Sequence, residues 1–266
     1  MLLRRLYRLS LLLMLAIAGI LIELTVFPLI SAARRRAIIS RWSRALLAAC
    51  GLRVRAHQAG GGALDQLAPG RMLVANHVSW LDIFAINSLA TCAFVAKAEL
   101  RRWPVAGWLA ALAGTVFIER ARRHAVHQVI EQLRGRIREG FPVAVFPEAT
   151  TSDGLTLLPF YGNLLEAAIA EQAQVIPVAL RYRDAEGRPA AQTAYVGDTT
   201  FVESLWAVLG ARGLLVDVQV LPAVDSGGRN RHELARELRG LISARLELPS
   251  ADSPPGTAAV FPAASR

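Results

Sequence analysis

Hydrophobic residues run almost unbroken from position 9 to position 30, interrupted only by Ser10, Gly19, Glu23, Thr25 and Pro28. A helix needs about 20 such residues to cross a ~30 Å hydrocarbon core. Glu23 would cost about 2.5–3.5 kcal/mol at mid-bilayer, so a helix lying on one leaflet competes with a spanning one. From 34 to 49 the pattern becomes amphipathic: Ile38, Trp42, Ala45, Leu46 and Ala49 recur at helical spacing, with Arg35, Arg41 and Arg44 elsewhere, as in an interfacial helix. Residues 1–50 are therefore expected to form two anchoring helices. The rival is a signal peptide ending near Ser31-Ala32-Ala33, but the apolar run exceeds the 7–15 residues or so of an ordinary h-region.

Beyond residue 51 the pattern shortens and alternates. Apolar runs at 52–57, 72–75, 114–118, 143–146, 175–180, 194–196 and 214–220 predict strands. Helical spacing over 80–90, 104–112, 122–139, 163–172, 199–210 and 230–246 predicts the segments between them. Such alternation reads as an α/β domain over 51–248, a central, mostly parallel sheet flanked by helices. Gly60-Gly61-Gly62 reads as a turn, and the tail 249–266, with Pro254-Pro255 and small residues, as disordered. No internal repeat occurs, nor any phosphate-cradling glycine motif, so no nucleotide cofactor is expected.

Composition sharpens this picture. Hydrophobic residues make up 53% of the 266 positions, above the share usual for a soluble domain, so part of the chain meets lipid. Thirty Lys and Arg against 21 Asp and Glu give a net charge of +9, which suits nucleic acid or an anionic lipid surface. Position decides for lipid: Arg4, Arg5, Arg8, Arg34, Arg35, Arg36, Arg41 and Arg44 flank the apolar run, each worth about 1 kcal/mol near an anionic leaflet. More arginine follows the run than precedes it, which would put the rest of the chain on the cytoplasmic side of the inner membrane. Cys50 and Cys92 are too few for a disulfide framework. His124 and His127 lie three apart with no third ligand nearby, so no metal site is expected.

Four short blocks carry candidate chemistry: Asn76-His77-Val78-Ser79-Trp80-Leu81-Asp82, Val116-Phe117-Ile118-Glu119-Arg120, Val145-Phe146-Pro147-Glu148-Ala149-Thr150 and Val175-Ile176-Pro177-Val178. Functional groups in α/β folds gather beyond the carboxyl ends of strands, and His77 directly follows one. Asp82 lies five positions after His77, about 140° on an ideal helix. The two can meet only if His77 lies in the turn before a helix and Asp82 in its first turns. Ser79 is then a natural N-cap, and the plainer reading is a capping box with Asp82 serving backbone N–H groups. A neutral imidazole can accept the proton of a weakly nucleophilic hydroxyl, with a carboxylate fixing its tautomer. No G-x-S-x-G elbow is present, which disfavours an acyl-serine enzyme. Cys92, among Ala90, Ala93 and Phe94, reads as a small core residue.

In that order and spacing the blocks resemble the glycerolipid acyltransferase family, the lysophosphatidate acyltransferases. The resemblance implies acyl transfer from acyl-CoA or acyl carrier protein, as co-substrate, to a lysolipid such as 1-acyl-sn-glycerol-3-phosphate, with no further cofactor. It makes His77 the general base and Asp82 its partner. It also implies that Lys97, Phe117, Glu119 and Arg120 hold the acceptor phosphate, that Glu148 and Thr150 support acceptor binding, and that Pro177 lies toward the acyl chain. Pro177 cannot donate a ladder bond, which on its own suggests a strand edge or bulge. Trp103, Trp108, Leu109, Leu112 and Leu158 are candidates for an acyl tunnel or simply for core. The chain departs from the family block F-P-E-G-T-R-S at Ala149 and Thr151. Alanine disfavours positive φ, so an ordinary negative φ is expected at Ala149, and one potential anion ligand is lost at Thr151. Lyso-ornithine lipid acylation is the neighbouring alternative. A catalytically inactive lipid-binding protein and a hydrolase are the rivals outside acyl transfer.

Overall fold

The computed structural model describes residues 1–58, 70–97, 115–118 and 123–248. The segments expected at 60–62, 104–112 and 249–266 lie outside these, as do Trp103, Trp108, Leu109, Leu112, Glu119 and Arg120. Helix α1 (Leu2–Thr25) is followed by a 3-10 turn at Phe27–Leu29 and by α2 (Ala32–Ala49), whose N-cap Ser31 accepts the Arg34 N–H. Then come β1 (Leu52–Gln58), β2 (Met72–Ala75), α3 (Leu81–Leu89), β3 (Ala93–Lys97) and β4 (Val116–Ile118). The chain continues through α4 (Arg123–Arg138), β5 (Val143–Val145), a 3-10 turn at Gly162–Leu165, α5 (Glu166–Ala170) and β6 (Gln174–Arg183). It closes with α6 (Phe201–Gly210), β7 (Leu214–Val220), β8 (Val224–Asp225) and α7 (Arg231–Leu246).

The strands form one sheet in the order β1-β7-β6-β2-β5-β3-β4, with β8 beside β6. Every pairing is parallel except those of β6 with β7 and β8. The α/β expectation therefore holds. β3 and β8 were not expected from the pattern, and 194–196 forms no strand. Strand alternation sends Leu73, Ala75, Val178, Leu180, Tyr182, Val216 and Val218 into a core shared with α2, α3 and α6. Met72, Val74, Val175, Ala179 and Val145 face the opposite core, under α4, α5 and α7.

Two expectations about the N-terminal region change. The last turns of α2 do not lie on a surface: Leu46, Leu47, Ala49 and Cys50 are buried and all but Ala49 belong to the first core, while Arg44 and Ser40 donate to the Ser88 carbonyl at the end of α3. The first arginines of α1 turn to protein rather than outward. Arg4 donates to the Gly210 carbonyl, Arg8 to those of Leu209 (3.0 Å) and Ala211 (2.7 Å), and Arg5 stacks over Trp206. These are the orphan carbonyls at the end of α6, where a cation also meets the negative end of the helix dipole. The rest of α1 leaves Leu13, Met14, Ile17, Leu21 and Leu24 exposed, and Leu2–Leu29 is long and apolar enough to cross a membrane.

Pro177 lies in an interior strand, not at an edge. It pairs in register with Val74 of β2. On its other side the partner of β6 changes from β8, at Gln174 and Val175, to β7, from Val178 onward. The missing N–H falls in that interruption, and the Pro177 carbonyl still accepts the Leu221 N–H at 2.9 Å.

Candidate active site

β2 ends at Ala75 against β5 on one side and β6 on the other, so the segments leaving β2 and β5 open side by side. Asn76 manages the exit. Its side-chain amide donates to the Leu180 carbonyl (3.0 Å) and accepts the Leu180 N–H (2.7 Å), extending the β2–β6 ladder while its own backbone turns away. His77 is thereby lifted from the sheet into the turn before α3. Its Nδ1 lies 2.7 Å from Asp82 Oδ2, its ring stacks on Phe146 (4.1 Å between centroids), and its side chain keeps 20% exposure.

Asp82 is fully buried in the first turn of α3. The same Oδ2 accepts the N–H groups of Val78 (2.8 Å) and Ser79 (2.9 Å), and Oδ1 accepts the Tyr182 hydroxyl (2.6 Å). Capping and orienting are thus done by one carboxylate. The expected Ser79 N-cap is corrected: its hydroxyl has no partner among the described residues, and Asp82 serves the orphan donors instead. Burial, reinforced by the Asp82 charge, pushes the Tyr182 phenol above its ordinary range, so it remains an O–H donor. Nothing singled out Tyr182 in the sequence. The available signal was its parity with Val178 and Leu180, since a tyrosine on a strand's core face needs a partner for its hydroxyl.

Glu148 reaches the site from the adjoining strand end. Its Oε1 accepts the His77 N–H at 2.6 Å and its Oε2 the Leu158 N–H at 2.9 Å. Burial pushes its carboxyl up to about 8, against those two donors, which pull it down. Phe146 to Ala149 forms a turn with Pro147 at its second position, closed by Ala149 N–H to Phe146 O at 3.1 Å. Ala149 then takes φ +59°, contrary to the negative φ expected. The bonds around it over-determine the loop: Ser152 N–H to the His77 carbonyl (2.8 Å), Tyr161 N–H to the Pro147 carbonyl (2.9 Å), and both oxygens of Glu148. Thr151 is spent on structure, its hydroxyl donating to the Tyr195 carbonyl.

The other candidates are spread out. Thr150 is exposed just past Glu148. Lys97 and Ile118 pair at the carboxyl ends of β3 and β4, and Phe117, half-buried, pairs with Ala96. Glu119 and Arg120 follow β4 outside the described residues. Pro177 is buried in the sheet three residues short of the His77 register. Cys92 is buried, and its thiol is pushed well above its ordinary range by burial, as suits a core residue. A cavity of about 540 Å³ lies elsewhere, on the opposite face of the sheet, lined among others by Arg53, Arg55, His57, Arg183, Asp217 and Arg245.

An acyltransferase family profile matches residues 64–181, a span that holds the dyad, Glu148 and Pro177. The chain is 36% identical over 213 residues to the 1-acyl-sn-glycerol-3-phosphate acyltransferase of Neisseria gonorrhoeae, covering 79% of this chain and 81% of that protein. The chain belongs to this acyltransferase family. It is also 41% identical over 170 residues to the lyso-ornithine lipid O-acyltransferase of Pseudomonas aeruginosa, covering 64% of this chain and 65% of that relative. The crystal structure of the 1-acyl-sn-glycerophosphate (LPA) acyltransferase PlsC from Thermotoga maritima shares the fold, with a TM-score of 0.71 at 23% identity over 92% of this acyltransferase and 94% of that chain.

Proposed function

We propose that the protein is a membrane-bound lysophospholipid acyltransferase that moves an acyl group from acyl-CoA or acyl carrier protein to 1-acyl-sn-glycerol-3-phosphate, giving phosphatidate. The observation that carries this reading is the 2.7 Å contact between His77 Nδ1 and the buried Asp82, on a ring whose side chain keeps 20% exposure. With Nδ1–H given to Asp82, Nε2 is left as an acceptor. It takes the proton of the acceptor hydroxyl as that oxygen bonds to the thioester carbonyl carbon. Collapse of the tetrahedral intermediate breaks the C–S bond, and the departing thiolate takes the proton back from the imidazolium. Asp82 keeps its charge throughout and steadies the imidazolium. Glu148 acts on position alone, holding the His77 backbone. The apolar helix α1 supports attachment to a membrane, with the catalytic domain on the cytoplasmic side of the inner membrane.

Lyso-ornithine lipid is the second reading, favoured by Thr151: its hydroxyl is tied to Tyr195, so this position offers no anion ligand, and a phosphate would rest on Lys97 and Arg120. Purified enzyme given a labelled acyl donor and both lysolipids decides between them. Preference for lysophosphatidate, rising further in Thr151→Arg, is the expected result. Activity confined to the phosphate-free acceptor would replace it with the second reading.

A further inference from the structure

Asp82 Oδ2 receives three donors, from His77, Val78 and Ser79, whereas Oδ1 has a single hydrogen-bond partner among the described residues, the Tyr182 hydroxyl. Tyr182 comes from a different element. It stands on β6, two residues beyond Leu180, which the Asn76 side chain holds to the end of β2. The strand that fixes where His77 leaves the sheet therefore also grips the far oxygen of its partner. Both Tyr182 and Asp82 are buried, with Leu81, Ala85 and Leu180 packed in the adjoining core, so bulk solvent has no direct access to replace the hydroxyl.

We propose that Tyr182 is a positioning residue of the dyad, fixing the plane of the Asp82 carboxylate so that His77 is held as the single tautomer with Nδ1–H donated and Nε2 free. This rests on the reading of His77 as the base. Without the hydroxyl, Oδ1 would be an unsatisfied acceptor in a dry site, and the carboxylate would turn to share the donors now on Oδ2. The 2.7 Å contact to Nδ1 would loosen, and the imidazole would no longer be held to one tautomer. The other ionisable groups around the dyad cannot substitute. Both oxygens of Glu148 are already held by backbone N–H groups of His77 and Leu158, and the nearby Arg239 guanidinium donates to the carbonyls of Leu157 and Leu158.

Tyr182→Phe in the full-length protein, in lipid nanodiscs, removes one oxygen and keeps the ring. Two readouts are taken: acyl-transfer kinetics and the ¹⁵N spectrum of labelled histidine, with His77 assigned by His77→Ala. The expected result is a kcat lowered about tenfold with both KM values within about twofold, and a His77 spectrum changed from one tautomer to a mixture. Incorporating 4-aminophenylalanine at 182 restores a donor and should restore both. If Tyr182→Phe fails to fold, 4-fluorophenylalanine at 182 supplies the donor-free comparison. A His77 spectrum that stays a single Nδ1–H tautomer without the donor overturns the proposal, whatever happens to the rate. Full activity in His77→Ala would instead sink the assignment of the base, a separate failure.

Discussion

Among the described residues two histidine–aspartate pairs lie on opposite faces of one sheet, and they are built differently. His77 meets Asp82 at 2.7 Å, and His57 meets Asp217 at 3.1 Å; both aspartates are buried. Asp217 is surrounded by cations: Arg183 binds its other oxygen at 3.0 Å and Arg55 lies 3.9 Å away. Among the described residues Asp82 has only backbone N–H groups and a phenol besides its histidine. Neutral donors stabilise a carboxylate without cancelling it, so the charge of Asp82 would be left for the imidazolium of the proposed mechanism, whereas that of Asp217 is already answered by arginine. Burial separates them too, since the His57 side chain is 43% exposed and that of His77 only 20%. Contact between histidine and aspartate does not make a base; what else touches the carboxylate does.

The sharpest way to break this contrast is to delete each histidine. His77→Ala should cost at least about 10² in rate, the typical worth of a positioned base, while His57→Ala stays within about twofold. Comparable losses in the two variants would mean that the pairs are not distinct in function.

Next in size is the support unique to the first pair. Glu148→Gln points an amide NH₂ at one of two backbone N–H groups and should cost about 1–3 kcal/mol in denaturant unfolding. The pH dependence has a definite sign. The folded carboxyl is raised to about 8, so between its unfolded value of 4.5 and that point the native state holds a proton which the unfolded chain has released. This contribution is complete below the unfolded value and is lost as pH climbs through the folded one. Thermal unfolding of the parent should fall from pH 5 to 8 more steeply than that of Glu148→Gln, and parallel curves would refute it.

Asp217→Asn should lower stability by about 1 kcal/mol, since its arginines are partly exposed, and leave turnover near the parental value. A large loss of activity would show that the second pair serves the first.

The smallest effect concerns the loop under Glu148. An alanine at φ +59° pays about 1–2 kcal/mol of left-handed strain, partly offset by the lower entropy of its unfolded chain. Ala149→Gly should therefore raise stability by a few tenths to about 1 kcal/mol, and a lowered melting temperature would argue that the methyl packs usefully.

What the sequence disclosed follows from range. Period and turn signals are local, and they located β2, β7, α3, α4 and α7 nearly to the residue. The dyad was legible too, because an offset of five positions around a strand end leaves one geometry in which His77 and Asp82 touch. Tyr182 was hidden: its bond to Asp82 spans a hundred positions and depends on β6 lying beside β2. The conformation of Ala149 was misjudged because intrinsic preference lost to four hydrogen bonds from distant segments. The arginines of α1 were misassigned for a related reason, as position in the chain cannot distinguish a lipid headgroup from the carbonyls of another helix.

Those arginines set a geometry. Arg4 and Arg8 grip the last turn of α6, while at its first turns Phe201 packs on Trp80 (5.3 Å between centroids) and Ser204 accepts the Trp80 indole N–H at 3.1 Å, three residues from His77. α1 is held to the body from its first arginines as far as Leu15, whose carbonyl accepts the Trp42 indole N–H at 2.9 Å, and that makes it a mast rather than a leash. In the membrane-bound acyltransferase proposed above, it would fix the height and tilt at which the site meets the bilayer, so that a lysolipid need rise only a set distance from its own leaflet.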